Sequence, residues 1–89
     1  MALKILKYKL DNKHRQTIEL TEGAEILSVH NQNNNACIWA EVNTDNPVEK
    51  REIITYATGE NLNPCEGKRF LGTVSLDQDY YVCHIYEKL

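Results

Sequence analysis

Residues 25–42, EILSVHNQNNNACIWAEV, hold two β-rich runs on either side of an asparagine cluster and carry the only tryptophan of the chain. In residues 25–32, alternation places Ile26, Ser28 and His30 on one face and Leu27, Val29 and Asn31 on the other. Asn33, Asn34 and Asn35 tolerate the left-handed backbone that the tip of a tight hairpin needs. In the return run, residues 36–42, Ala36, Ile38, Ala40 and Val42 form a purely aliphatic face, and Cys37, Trp39 and Glu41 form the other. The stretch therefore reads as the central hairpin of a small all-β domain.

The flanking sequence repeats the same period of two. Residues 4–10 put Leu6, Tyr8 and Leu10 on the more apolar face. Asp11, Asn12, Lys13 and His14 are turn material, and residues 15–20 resume with Ile18 and Leu20 inward, which predicts a hairpin with the first strand. Gly23 then supplies the positive φ of a chain reversal. Pro47 with Val48, Glu49 and Lys50 suits a short helical turn, since proline is favoured at a first helical position. Residues 51–58 form a fifth strand, with Ile53, Thr55 and Ala57 opposite Ile54, Tyr56 and Thr58. Residues 59–68, GENLNPCEGK, are aperiodic and make the longest loop, the kind of segment that often carries function. A sixth strand follows over 70–76, where Gly72 marks a bulge or a close approach by another backbone. Asp77, Gln78 and Asp79 turn the chain into a seventh strand over 80–87, apolar enough on both faces to lie centrally. Seven short strands with almost no helical period predict a single antiparallel β-sandwich or partly open barrel.

Composition narrows the function classes. Eighty-nine residues make one domain, and folding at that size removes only about 60–65% of the unfolded surface. A homo-oligomer or a ligand would add to so small a core. Hydrophobic residues are 42% of the chain, too many for a disordered segment. No apolar run approaches the ~18 residues of a membrane span, and MALKILKYKL alternates lysine with apolar residues instead of building a signal-peptide core, so the expected location is the cytoplasm. Cys37, Cys65 and Cys83 are odd in number and lack a CxxC pair, which fits neither a disulfide framework nor a zinc ribbon. Residues 1–15 hold five Lys/Arg against Asp11 alone, whereas the remainder holds five against twelve Asp/Glu. The acidic body argues against nucleic acid as a partner, and the basic first strand suits either an acidic neighbour or a solvated sheet edge.

No catalytic, cofactor-binding or metal-binding motif rises above background. Adjacent Cys83 and His84 point to opposite faces of a strand and do not make a zinc knuckle with His30 or Cys37. Cys65 in the long loop lacks the local signature of a nucleophile. Asp77 with Asp79, and Glu41 beside Trp39, read as acidic positions near strand ends more readily than as paired catalytic carboxylates. Trp39, Tyr56, Tyr80, Tyr81 and Tyr86 are a surplus of aromatics able to fill a core, build an interface or stack on a base.

The segments EGAEILSV, CIWAEV, ATG, FLGTV and YVCHIYE resemble a family of small uncharacterised proteins of tailed phages and prophages. The resemblance covers nearly the whole chain and matches Trp39, Thr58 with Gly59, Leu71 to Thr73, and His84. Where a second histidine would follow the Thr-Gly pair, this chain has Glu60. The resemblance implies an accessory phage product acting stoichiometrically on a host target, for instance by blocking a defence complex or sequestering a signalling nucleotide.

Three expectations follow. The first is a non-enzymatic binding module acting as an oligomer on a host protein, in contact through an edge strand, the Asn33 to Asn35 tip and the 59–68 loop. The second is a nucleotide sponge in which Trp39 or Tyr56 stacks a base while Lys68, Arg69 and backbone N–H groups near Gly59 hold phosphate. The third is a small nucleotide hydrolase using His84 and Glu60. The candidate site residues are thus Trp39, Tyr56, Thr58, Gly59, Glu60, Lys68, Arg69, His84 and Asn34.

Overall fold

The computed structural model describes residues 2–63 and 66–89. Cys65, considered above as a loop thiol, lies outside them. Seven strands run in order: β1 (Leu3–Lys9), β2 (Arg15–Thr21), β3 (Glu25–Gln32), β4 (Asn35–Asn43), β5 (Val48–Ala57), β6 (Lys68–Leu76) and β7 (Tyr81–Lys88). They form two antiparallel sheets, β1-β4-β3 and β2-β5-β7-β6, packed as a sandwich rather than a closed barrel. No helix is present among the described residues.

The core is built from the faces that alternation marks as aliphatic. Ile38 of β4 packs in one cluster with Ile53 of β5 and Ile85 of β7, and Ala40 and Val42 of β4 pack in a second with Leu20 of β2, each at most 1% exposed. A fully buried aliphatic side chain of this kind contributes roughly 1.5–3 kcal/mol relative to exposure. Tyr8, Ile18 and Ile26 pack against both the Ile38 cluster and the Leu20–Val42 cluster, joining them into one core.

Pairing departs from the local expectation. β1 does not form a hairpin with β2; it pairs with β4, while β2 pairs with β5. The Asp11–His14 connection crosses between the sheets, because Leu10 and Leu20 bury their side chains from opposite layers. The lysines of β1 lie opposite Val42, Trp39 and Cys37 rather than opposite carboxylates, and β1 is an edge strand. Three lysines on an edge discourage pairing with a second chain.

Two local readings are also corrected. Pro47 to Lys50 is not helical: β5 begins at Val48, and the Glu22 N–H donates to Pro47 O at 2.8 Å, extending the β2–β5 ladder by one rung. In β3 a bulge between Ile26 and Ser28 shifts the phase. Ile26 and Val29 therefore both face inward, opposite Ala40 and Ile38, while Leu27 is exposed.

The turns follow their residue chemistry. Asn33 and Asn34 adopt φ of 53° and 63° at the hairpin tip, and Asp77, Gln78 and Asp79 are also left-handed. Tyr80, expected to open the last strand, sits in that turn and is exposed. Gly72 lies at the expected bulge, and its nearest neighbour is the side chain of Val29 rather than a closely approaching backbone. A bulge separates it from Phe70, and a Cβ at Gly72 would lie 3.5 Å from Val29 Cβ, so β3 leans directly onto β6. β7 lies centrally, between β5 and β6.

Candidate functional site

The outer face of the four-stranded sheet gathers most of the candidate residues. Alternation puts Tyr56 of β5 on that face with His84 and Tyr86 of β7, and register sets Tyr56 opposite His84, while Thr58, expected in the same strand, opens the turn that follows it. The bulge in β6 inserts one residue between Phe70 and Gly72. Phe70 and Thr73, three apart, therefore both face outward, opposite Tyr86 and His84. An unbroken strand would have sent Thr73 to the core side.

The resulting cluster is aromatic. Tyr56 and Tyr86 meet edge to face with centroids 5.6 Å apart, Phe70 lies 5.2 Å from Tyr86, and His14 approaches Tyr56 at 5.4 Å. Such pairs contribute about 0.5–1.5 kcal/mol beyond burial. Lys68 Nζ sits 5.4 Å from the Tyr56 centroid and also donates to Leu62 O, holding the long loop beside the cluster. Tyr56 is only 7% exposed, whereas Phe70 is 54% exposed. A shallow recess of about 170 Å³ is lined by Tyr56, Thr58, Gly59, Glu60, His84 and Tyr86.

Both nitrogens of His84 are engaged. Nε2 lies 2.8 Å from Thr58 Oγ1 and Nδ1 lies 3.0 Å from Thr73 Oγ1. A neutral imidazole has one donor and one acceptor nitrogen, and a threonine hydroxyl can fill either role, so the ring is satisfied on both sides. A general base needs a lone pair aimed at substrate, and this ring aims neither nitrogen at the recess. Glu60 is similarly committed: its carboxylate accepts from the Ala57 N–H at 3.0 Å, its own N–H donates to Ala57 O at 3.1 Å, and its other oxygen lies 3.5 Å from His14 Nδ1. These bonds close the turn after β5 around Gly59, whose φ is 89°.

Three candidates lie elsewhere. Trp39 is on the outer face of the other sheet, 5.9 Å from His30. Asn34 is at the β3–β4 tip, where its side chain accepts from the Asp77 N–H at 2.6 Å. Arg69 points inward, donating to Glu87 at 2.8 Å, so Lys68 and Arg69 face opposite sides of β6 and do not converge on one phosphate.

Glu87, 4% exposed, closes one end of the sandwich between Arg51 and Arg69. Burial opposes its ionisation, but hydrogen bonds and charge from Arg51 and Arg69 outweigh burial and hold the carboxyl below its ordinary range. The hydrogen bond to Glu87 in turn raises the Arg51 pKa despite desolvation. Burial pushes the Cys83 thiol up, and its Sγ–H donates to Val74 O at 3.5 Å.

Sequence reasoning passed over Phe70, Thr73, His14, Arg51 and Glu87. Phe70 and Thr73 carried the one usable signal, since both lie in the FLGTV segment of the resemblance. Among the described residues no three His, Cys, Asp or Glu side chains group closely enough to hold a metal ion.

Fold and site together define a small two-sheet β-sandwich with an aromatic cluster on the outer face of its larger sheet. The chain belongs to the family described as Domain of unknown function (DUF7352), whose model matches residues 1–89. No curated protein and no solved structure matches it.

Proposed function

We propose that this protein is a non-enzymatic binding module, a phage-encoded accessory product that acts stoichiometrically on a host protein in the host cytoplasm. The observation that carries the reading is the Tyr56–Tyr86–Phe70 cluster, in which a half-exposed phenylalanine is backed by two packed tyrosines and flanked by Lys68. Rigid aromatics beside a cation are the residue types that dominate protein–protein interfaces. The recess, at about 170 Å³, is below the roughly 300 Å³ of typical small-ligand sites. The Tyr56 ring, covered by Tyr86, His14 and Lys68, has no open face for a nucleobase, which favours a macromolecular partner at this face over a nucleotide. No helix among the described residues is long and apolar enough to cross a membrane.

The test is capture of partners from host lysate by wild-type protein, Phe70→Ala and Trp39→Ala, with native mass spectrometry of the eluates. A partner in fixed stoichiometry with wild type and Trp39→Ala, and lost with Phe70→Ala, is expected. Equal recovery by Phe70→Ala would overturn the assignment of the surface.

A further inference from the structure

We infer that the cavity between the two sheets, at the end where the β3–β4 and β6–β7 turns meet, is a binding site for a small apolar molecule bearing a protonated amine. The cavity measures about 700 Å³, within the range of about 300–1,000 Å³ in which proteins enclose small organic ligands. It opens to solvent along the rim, so it is a cleft into the end of the sandwich rather than an enclosed void.

Its lining is graded. Leu10, Ala36, Cys83 and Ile85, all buried, form an apolar floor, and half-buried Leu76 and Tyr81 form the walls. The Cys83 thiol is turned to Val74 O and is held protonated by burial, so it serves as part of the floor and not as a nucleophile. Exposed Asp11, Asn12, Asn34 and Asp77 make the rim.

The rim is fixed by backbone bonds that leave its carboxylates available. Asn34 Oδ1 accepts from the Asp77 N–H, and Asn31 Nδ2 donates to Ser75 O at 2.8 Å, which ties the two turns together. Across the opening, Asp11 N–H donates to Gln16 Oε1, and Gln16 Nε2 donates back to Asp11 O, both at 2.9 Å. Neither Asp11 nor Asp77 enters an ion pair among the described residues. The lining contains no Lys, Arg or His. An entering anion would meet two carboxylates without a counter-charge, whereas an ammonium would gain charge-assisted hydrogen bonds at the rim as its apolar body fills the floor. This cavity shares no lining residue with the outer-face recess, so the two readings stand or fall separately.

The test is NMR titration of the full chain with tryptamine and phenethylamine, each matched by a carboxylate of the same apolar body, indole-3-propionate and 3-phenylpropionate. Saturable shifts at Leu10, Ala36, Leu76 and Ile85 are expected, with the amines binding at least about tenfold more tightly than the carboxylates. Asp11→Asn with Asp77→Asn keeps the backbone bonds and, at Asp77, a side chain that tolerates the left-handed turn. That double variant should bring amine and carboxylate to similar affinity. Ala36→Phe, which fills the floor, should abolish binding. Absence of saturable shifts with both amines, shifts confined to the Tyr56–Phe70 face, or carboxylates binding as tightly as amines to the wild-type protein would each overturn the proposal.

Discussion

Arg51 grips Glu87 with two donors: Nη2 donates to Oε1 at 2.9 Å while Nε donates to the other carboxylate oxygen. The same guanidinium donates from Nη1 to Ala24 O at 2.7 Å, so one side chain links β5, β7 and the turn before β3. Breaking a buried pair by removing one partner leaves an uncompensated charge, and Glu87→Gln should cost about 3 kcal/mol in chemical denaturation.

The pair also sets the acid limb of the stability curve. The Glu87 carboxyl titrates below its ordinary value of 4.5 in the folded state. Its contribution is therefore complete above about pH 4.5 and is lost as pH falls through the lower folded value. Wild-type melting temperature should fall between about pH 5 and about pH 2 more steeply than that of Glu87→Gln. Parallel curves for the two proteins would refute this assignment.

Gly72 separates two tolerances. A methyl group there meets Val29 at ordinary contact distance, and φ at Gly72 is not in the left-handed region, so Gly72→Ala should change stability by less than about 1 kcal/mol. Gly72→Leu drives its side chain into Val29 and should cost about 1–3 kcal/mol. Equal unfolding midpoints for the two variants would show that β3 does not lean on β6 in solution.

At the hairpin tip the two left-handed asparagines do different work. Asn33 supplies only a positive φ and a backbone carbonyl bonded by Asn35, so Asn33→Gly should leave the melting temperature near wild type. Asn34→Gly keeps the turn but removes the acceptor for the Asp77 N–H, with an expected loss of about 0.5–1.5 kcal/mol.

On the outer face, Phe70→Ala should cost partner capture while lowering stability by about 1 kcal/mol or less, because the ring is already half in water. Circular dichroism melts run beside the capture assay separate lost contact from lost fold.

The existence of the strands was legible because burial on one face of a sheet imposes a period of two, and Ala36, Ile38, Ala40 and Val42 display it without interruption. The turns were legible for a local reason too, since Asn33, Asn34, Gly23 and Gly59 are the residue types that accept positive φ. Partners were not. Whether β1 pairs with β2 or with β4 depends on which layer buries Leu10 and Leu20, a matter of contacts distant in sequence. The inward turn of Ile26 and the outward turn of Thr73 depend on bulges that alternation cannot register.

The candidate site divides along the same line. Sequence alone brought Tyr56, Thr58, Gly59, Glu60, Lys68 and His84 forward as residue types and determined that alternate positions share a face. Tertiary structure decided that Tyr86 and Phe70 complete their cluster, that Arg69 turns to Glu87, that Trp39 lies on the other sheet, and that a cavity remains between the layers. Periodicity is a property of one strand, whereas register, bulge phase and layer assignment arise only when strands far apart in the chain compete for the same buried surface.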